Sequence, residues 1–74
     1  MTFFLDFEAN SGPEFDIIQV GCVSITGRKF STLVYPSKQL SWRISRLTGI
    51  TNRSFKTRTT HNINSTFELL YKFI

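Results

Sequence analysis

Asp6-Phe7-Glu8 is the stretch whose residue types and spacing could do chemistry. Side chains two apart on a β-strand project from one face, with Cα atoms roughly 6.5–7 Å apart. One short and one long carboxylate so placed can converge on a point beside the strand. Like charges held together call for a cation, and an all-oxygen donor pair selects Mg²⁺ or Mn²⁺. Spacing alone has a plainer reading, in which Asp6 and Glu8 only mark where a strand leaves the core. The context favours the chemical reading, because the pair closes a hydrophobic strand, a small polar turn follows, and a second strand and a hairpin lie behind it.

Other reactive residue types read more simply. Cys22 falls mid-strand and is expected as a buried small hydrophobe; being the only cysteine, it excludes an intrachain disulfide. His61, the only histidine, is expected in an exposed loop and is not assigned as a general base. Trp42 could stack on a base, but packing along a helix flank is the simpler expectation. Arg43, Arg46, Arg53, Lys56 and Arg58 form the densest basic run; contact with substrate phosphates and simple solvation of a helix and loop both fit. Asn52-Arg53-Ser54 and Asn64-Ser65-Thr66 match the glycosylation sequon, a coincidence in a cytoplasmic chain.

The elements that must position these residues come from a chain of 74 residues, 41% hydrophobic and 19% charged, enough for one small domain. Its net charge of +4 is divided unevenly. Residues 1–20 hold Asp6, Glu8, Glu14 and Asp16 with no Lys or Arg, while all nine basic residues fall in 21–74 against Glu68 alone. An acidic strip suits a hard cation, and a basic remainder with aromatics suits a phosphate backbone. No apolar run approaches the ~18 residues a membrane span needs. No signal peptide is recognisable, so a cytoplasmic location without a membrane partner is expected.

Thr2 to Phe7 is apolar on both faces and predicts a central, buried strand, anchored by Phe3, Leu5 and Phe7 opposite the carboxylates. Asn10-Ser11-Gly12-Pro13 predicts a turn. Asp16–Ile25 and Lys29–Tyr35, separated by Thr26-Gly27-Arg28, predict an antiparallel hairpin ended by Pro36. Residues 41–49 predict a short helix capped by Ser41 and stopped by Gly49. Residues 51–62 read as surface connection. A second helix is predicted from about Ser65, with Ser65 and Glu68 as a capping box. The fold class is α/β, a three-stranded, antiparallel-led sheet with one short and one longer helix. Two strands apolar on both faces need more cover than these helices give, so a piece of a larger domain is expected.

Phe4-Leu5-Asp6-Phe7-Glu8-Ala9-Asn10, Ile17-Ile18-Gln19-Val20-Gly21, Phe30 through Leu33-Val34-Tyr35-Pro36, and Leu47-Thr48-Gly49-Ile50-Thr51 resemble, in order and spacing, the amino-terminal half of the DEDDh 3′–5′ exonucleases. That family includes the proofreading exonuclease of bacterial replicative polymerases, ribonuclease T and the histone-mRNA exonucleases. The resemblance implies the amino-terminal part of a ribonuclease H-like fold and hydrolysis of nucleotides from nucleic-acid 3′ ends, with two Mg²⁺ or Mn²⁺ ions. It places Asp6 and Glu8 as catalytic metal ligands, the Asp bridging both ions and the Glu holding the ion that activates water. Ala9, Asn10, Leu47, Thr48 and Ile50 match substrate-binding positions.

The family's second motif, an H-N-x-x-F-D-like segment, and its third, H-x-x-x-x-D, do not occur in these residues. Residues 1–74 are therefore expected to be a partial exonuclease domain, inactive alone, because two carboxylates hold Mg²⁺ weakly. A non-catalytic, basic nucleic-acid-binding module is the alternative, as is a fragment complementing a second polypeptide. The expected partner is the 3′ end of single-stranded DNA or RNA.

Overall fold

The computed structural model describes residues 2–10 and 16–74. Along them run β1 (Phe3–Asn10), β2 (Asp16–Ser24), β3 (Lys29–Val34), α1 (Trp42–Thr48), α2 (Ser54–Thr57), β4 (Thr60–His61) and α3 (Ile63–Phe73). One sheet holds the strands in the order β1-β2-β3-β4, antiparallel through the first three and parallel between β3 and β4. The α/β class is as expected, with four strands and three helices in place of three and two. Beyond Asn10, the turn expected at 10–13 lies outside the described residues.

The expected hairpin forms between β2 and β3. Gly27 takes a positive φ of 94° at its turn, which costs glycine no Cβ clash, and its N–H donates to the Ser24 carbonyl at 2.9 Å. On one face of the sheet Val20, Cys22 and Val34 pack under Leu70 of α3, flanked by Phe3, Ile17, Phe30 and Phe73. Phe73 locks that helix end: its ring lies 6.1 Å from Phe3 and 5.6 Å from Phe30, with the Arg28 guanidinium 4.8 Å above it. Arg28 also donates to the Phe73 carbonyl at 3.3 Å, satisfying a last-turn acceptor that has no partner within the helix.

The opposite face is closed at one end only, by Ile18, Leu33, Leu40, Ile50 and Phe55, with Ile44 of α1 against them. A bulge in β2 makes this possible. Glu8 pairs with Gln19 but Ala9 pairs with Ile17, so Ile18 is the extra residue and joins Leu33, while Ile17 joins Val20 on the α3 side. Without it, Ile17 and Ile18 would exchange faces.

Several expectations are corrected. β1 is an edge strand, not a central one: Phe4 is 61%, Leu5 50% and Phe7 42% exposed, so of the three expected anchors only Phe3 packs. α3 begins two residues before Ser65, because the Asn62 carboxamide oxygen accepts from the Ser65 N–H at 2.8 Å and takes the N-cap role. Residues 51–62 are more than connection, since α2 sends Phe55 into the core and β4 extends the sheet. His61 is half-buried, not an exposed loop residue. Its Nδ1 lies 3.0 Å from the buried Thr32 hydroxyl, itself 3.3 Å from the Thr59 carbonyl. The hydroxyl also lies 3.1 Å from the Leu33 carbonyl, and its hydrogen bond with the His61 ring pins β4 to β3. Trp42 stands out from α1 instead of packing along it, with the Arg46 guanidinium 4.9 Å from its ring. The α1 caps fall as expected, Ser41 accepting from Ile44 and Gly49 closing the helix at φ 75°. Cys22 is buried, also as expected. Among the described residues no helix is long and apolar enough to cross a membrane.

Candidate metal and nucleic-acid site

Asp6 pairs across the sheet with Gly21 and Glu8 with Gln19. Directly opposed residues of an antiparallel pair share a face, and the bulge begins only after Glu8, so both carboxylates project from the face opposite α3. Asp6 is exposed and Glu8 half-buried, and neither is tied up in an ion pair with a described residue. Beside Asp6 that face is an open hollow of about 290 Å³, bordered by Phe4, Gly21, Val23, Lys29 and Ser31. The pair is reachable, because the cluster around Ile18 and Leu33 covers only one end of this face.

As donors, Asp6 and Glu8 suit one hard divalent ion. Among the described residues no group of three or more His, Cys, Asp and Glu comes together, so the set does not fit a pair of ions. A single Mg²⁺ on two carboxylates keeps most of its water and depends on substrate phosphates for affinity.

The expected substrate residues divide. Asn10 ends β1 buried, its Nδ2 reaching the Gln39 carbonyl at 3.5 Å, so it ties the strand to the segment after Pro36. Ala9 lies across the bulge, on the α3 side with Ile17 and away from the carboxylates. Leu47 is 74% exposed and available. Thr48 uses its hydroxyl within the chain, donating to the Ile44 carbonyl at 2.8 Å and accepting from the Ile50 N–H at 3.1 Å. Ile50, placed by the resemblance against substrate, is 1% exposed and a core residue, offering no surface to a ligand.

A second arrangement went unread in the sequence. The strap after β3 and the start of α2 enclose a cleft of about 550 Å³, with Tyr35, Lys38, Gln39, Asn52, Arg53 and Lys56 around it and Phe55 at its base. The signal was present only as a basic run, since the lining residues come from two segments more than a dozen residues apart.

Compared with known proteins, the chain matches no family model and no curated protein. The functional reading therefore rests on the residues and their placement.

Proposed function

We propose that this chain supplies the first metal-ligand pair of a DEDDh-type 3′–5′ exonuclease site, within the amino-terminal part of a ribonuclease H-like fold. The observation that carries the reading is that Asp6 and Glu8 share one solvent-open face of β1. The four ordered motifs support it from the sequence. In this role the pair holds one Mg²⁺ or Mn²⁺ weakly, and the chain alone turns over little or no substrate.

Among the described residues no strand pairs with the outer side of β1, which favours a specific form of this reading, in which a further strand extends the sheet and brings the remaining ligands alongside Asp6 and Glu8. Unpaired edges with exposed apolar side chains are ready templates for strand addition, and neither Lys nor Pro blunts this one.

Mn²⁺ titration followed by NMR tests the metal site. The amides of residues 5–9 should broaden first, and Asp6→Asn with Glu8→Gln should erase the effect; broadening centred elsewhere rejects the assignment. A nuclease-free preparation should release no nucleotide from a 3′-labelled oligonucleotide. Where a longer polypeptide supplies the missing motifs, Asp6→Ala should abolish metal-dependent release, and retained activity would remove Asp6 from the site.

A further inference from the structure

We infer that the cleft between Tyr35–Gln39 and α2 binds the backbone of single-stranded nucleic acid, with Tyr35 as the face on which a base stacks. The inference rests on the nucleic-acid reading of the Asp6–Glu8 site and adds where the strand runs beyond it.

Charge is the first argument. Lys38, Arg53 and Lys56 line the cleft, all exposed, and among the described residues none of them is in an ion pair and no carboxylate lines the cleft with them. Three such cations around one concavity favour an anionic chain over a neutral or acidic peptide. Shape is the second. Tyr35 is 55% exposed at the rim, a flat ring beside the cations, which is the pairing of stacking platform and charged groove used on single strands.

The walls are also held in place. Asp16 accepts from the Ser37 N–H at 3.0 Å and hydroxyl at 3.1 Å, which fixes the strap and occupies the neighbouring carboxylate. Asn52 Oδ1 accepts from the Leu40 N–H at 2.8 Å, joining the strap to the approach of α2. Position completes the case. Gln39 touches Asn10, two residues past Glu8 on β1 and so roughly 7 Å along the strand. The wall of the cleft therefore meets β1 at the end nearer Glu8, and the proposed strand runs from the carboxylates toward it.

Fluorescence anisotropy with labelled oligo-dT, oligo-U and a DNA duplex, in EDTA, tests this. Both single strands should bind more tightly than the duplex. Lys38→Gln, Arg53→Gln and Lys56→Gln should each lower the slope of log K against log salt by about 0.7, while Lys72→Gln, on α3 across the sheet, should not. Tyr35→Ala should weaken binding roughly 5–150-fold and Tyr35→Phe should restore it. Amide shifts of the unmodified protein must concentrate in residues 35–39 and 52–56, which frees the test from any folding defect of a variant. Shifts confined to α1 around Trp42 and Arg46, equal duplex affinity, or no binding at low salt each overturn the proposal. Because EDTA removes the metal, failure at the cleft leaves Mn²⁺ broadening at Asp6 and Glu8 intact, and failure of the metal site leaves strand binding intact.

Discussion

Under α3, Val20, Cys22, Val34 and Leu70 close a continuous core whose outer ring of Phe3, Phe30 and Phe73 reaches the sheet end. On the other face, cover stops with Ile18, Leu33, Leu40, Ile50 and Phe55, and beyond them Phe4 and Asp6 stand in the open. The same three strands thus serve two purposes. β2 and β3 are buried along most of their length, while Asp6 and Glu8 sit on β1, which leaves Phe4, Leu5 and Phe7 largely exposed. A rigid sheet centre that presents reactive groups on a lightly packed margin is the usual division between scaffold and site. The bulge at Ile18 is the hinge of this division, because it feeds the second core and ends the carboxylate-bearing face of β1 in register.

The comparison breaks first at Ile18. It is wholly buried, and Ile18→Ala removes most of its side chain from the cluster it forms with Leu33, Leu40, Ile50 and Phe55. The expected loss is about 2–5 kcal/mol, enough to unfold much of a domain whose total stability is only several kcal/mol at this size. Urea denaturation monitored by circular dichroism checks it; a loss under about 1 kcal/mol would mean the second core is not cooperative with the first.

A smaller effect separates the helix start from the core. Asn62→Ala deletes the acceptor for the Ser65 N–H and should cost about 1 kcal/mol. Ser65→Ala should cost less, because its N–H, not its side chain, makes the cap. Equilibrium melts of the two variants decide between the caps, and the reverse order would restore the Ser65–Glu68 capping box.

The pattern of what was legible has a physical basis. The β2–β3 hairpin and α1 were readable because local signals agree with the tertiary outcome: an alternating run with Gly27 at the turn, and Ser41 and Gly49 at the helix ends. The shared face of Asp6 and Glu8 followed from strand periodicity alone. Asn62 was missed because Ser65 offers an equally good cap, and only the chain's path from β4 selects between them. α2 and β4 are too short to show any period, and they exist because Phe55 and His61 find partners supplied by β3 and its surroundings. The cleft depends on Asn52 joining the strap to the approach of α2 while Asp16 holds the strap to β2, a juxtaposition that no spacing encodes. β1 was misplaced for another reason: an apolar run states a demand for cover, and does not say whether these residues meet it.

That last point carries the smallest predicted effect on stability. Phe4 pairs with Val23 on the uncovered face and is largely exposed, so Phe4→Lys deletes little buried surface. The melting free energy should stay within about 0.5 kcal/mol of the parent. Self-association should fall, since a lysine on an open edge blocks strand addition by charge. Sedimentation velocity across a concentration series, alongside the melt, separates the two readouts. A large drop in stability would show that β1 is packed in solution and that the sheet has two finished faces; unchanged stability with reduced association would identify the β1 edge as a surface open to strand addition, which the proposed function requires.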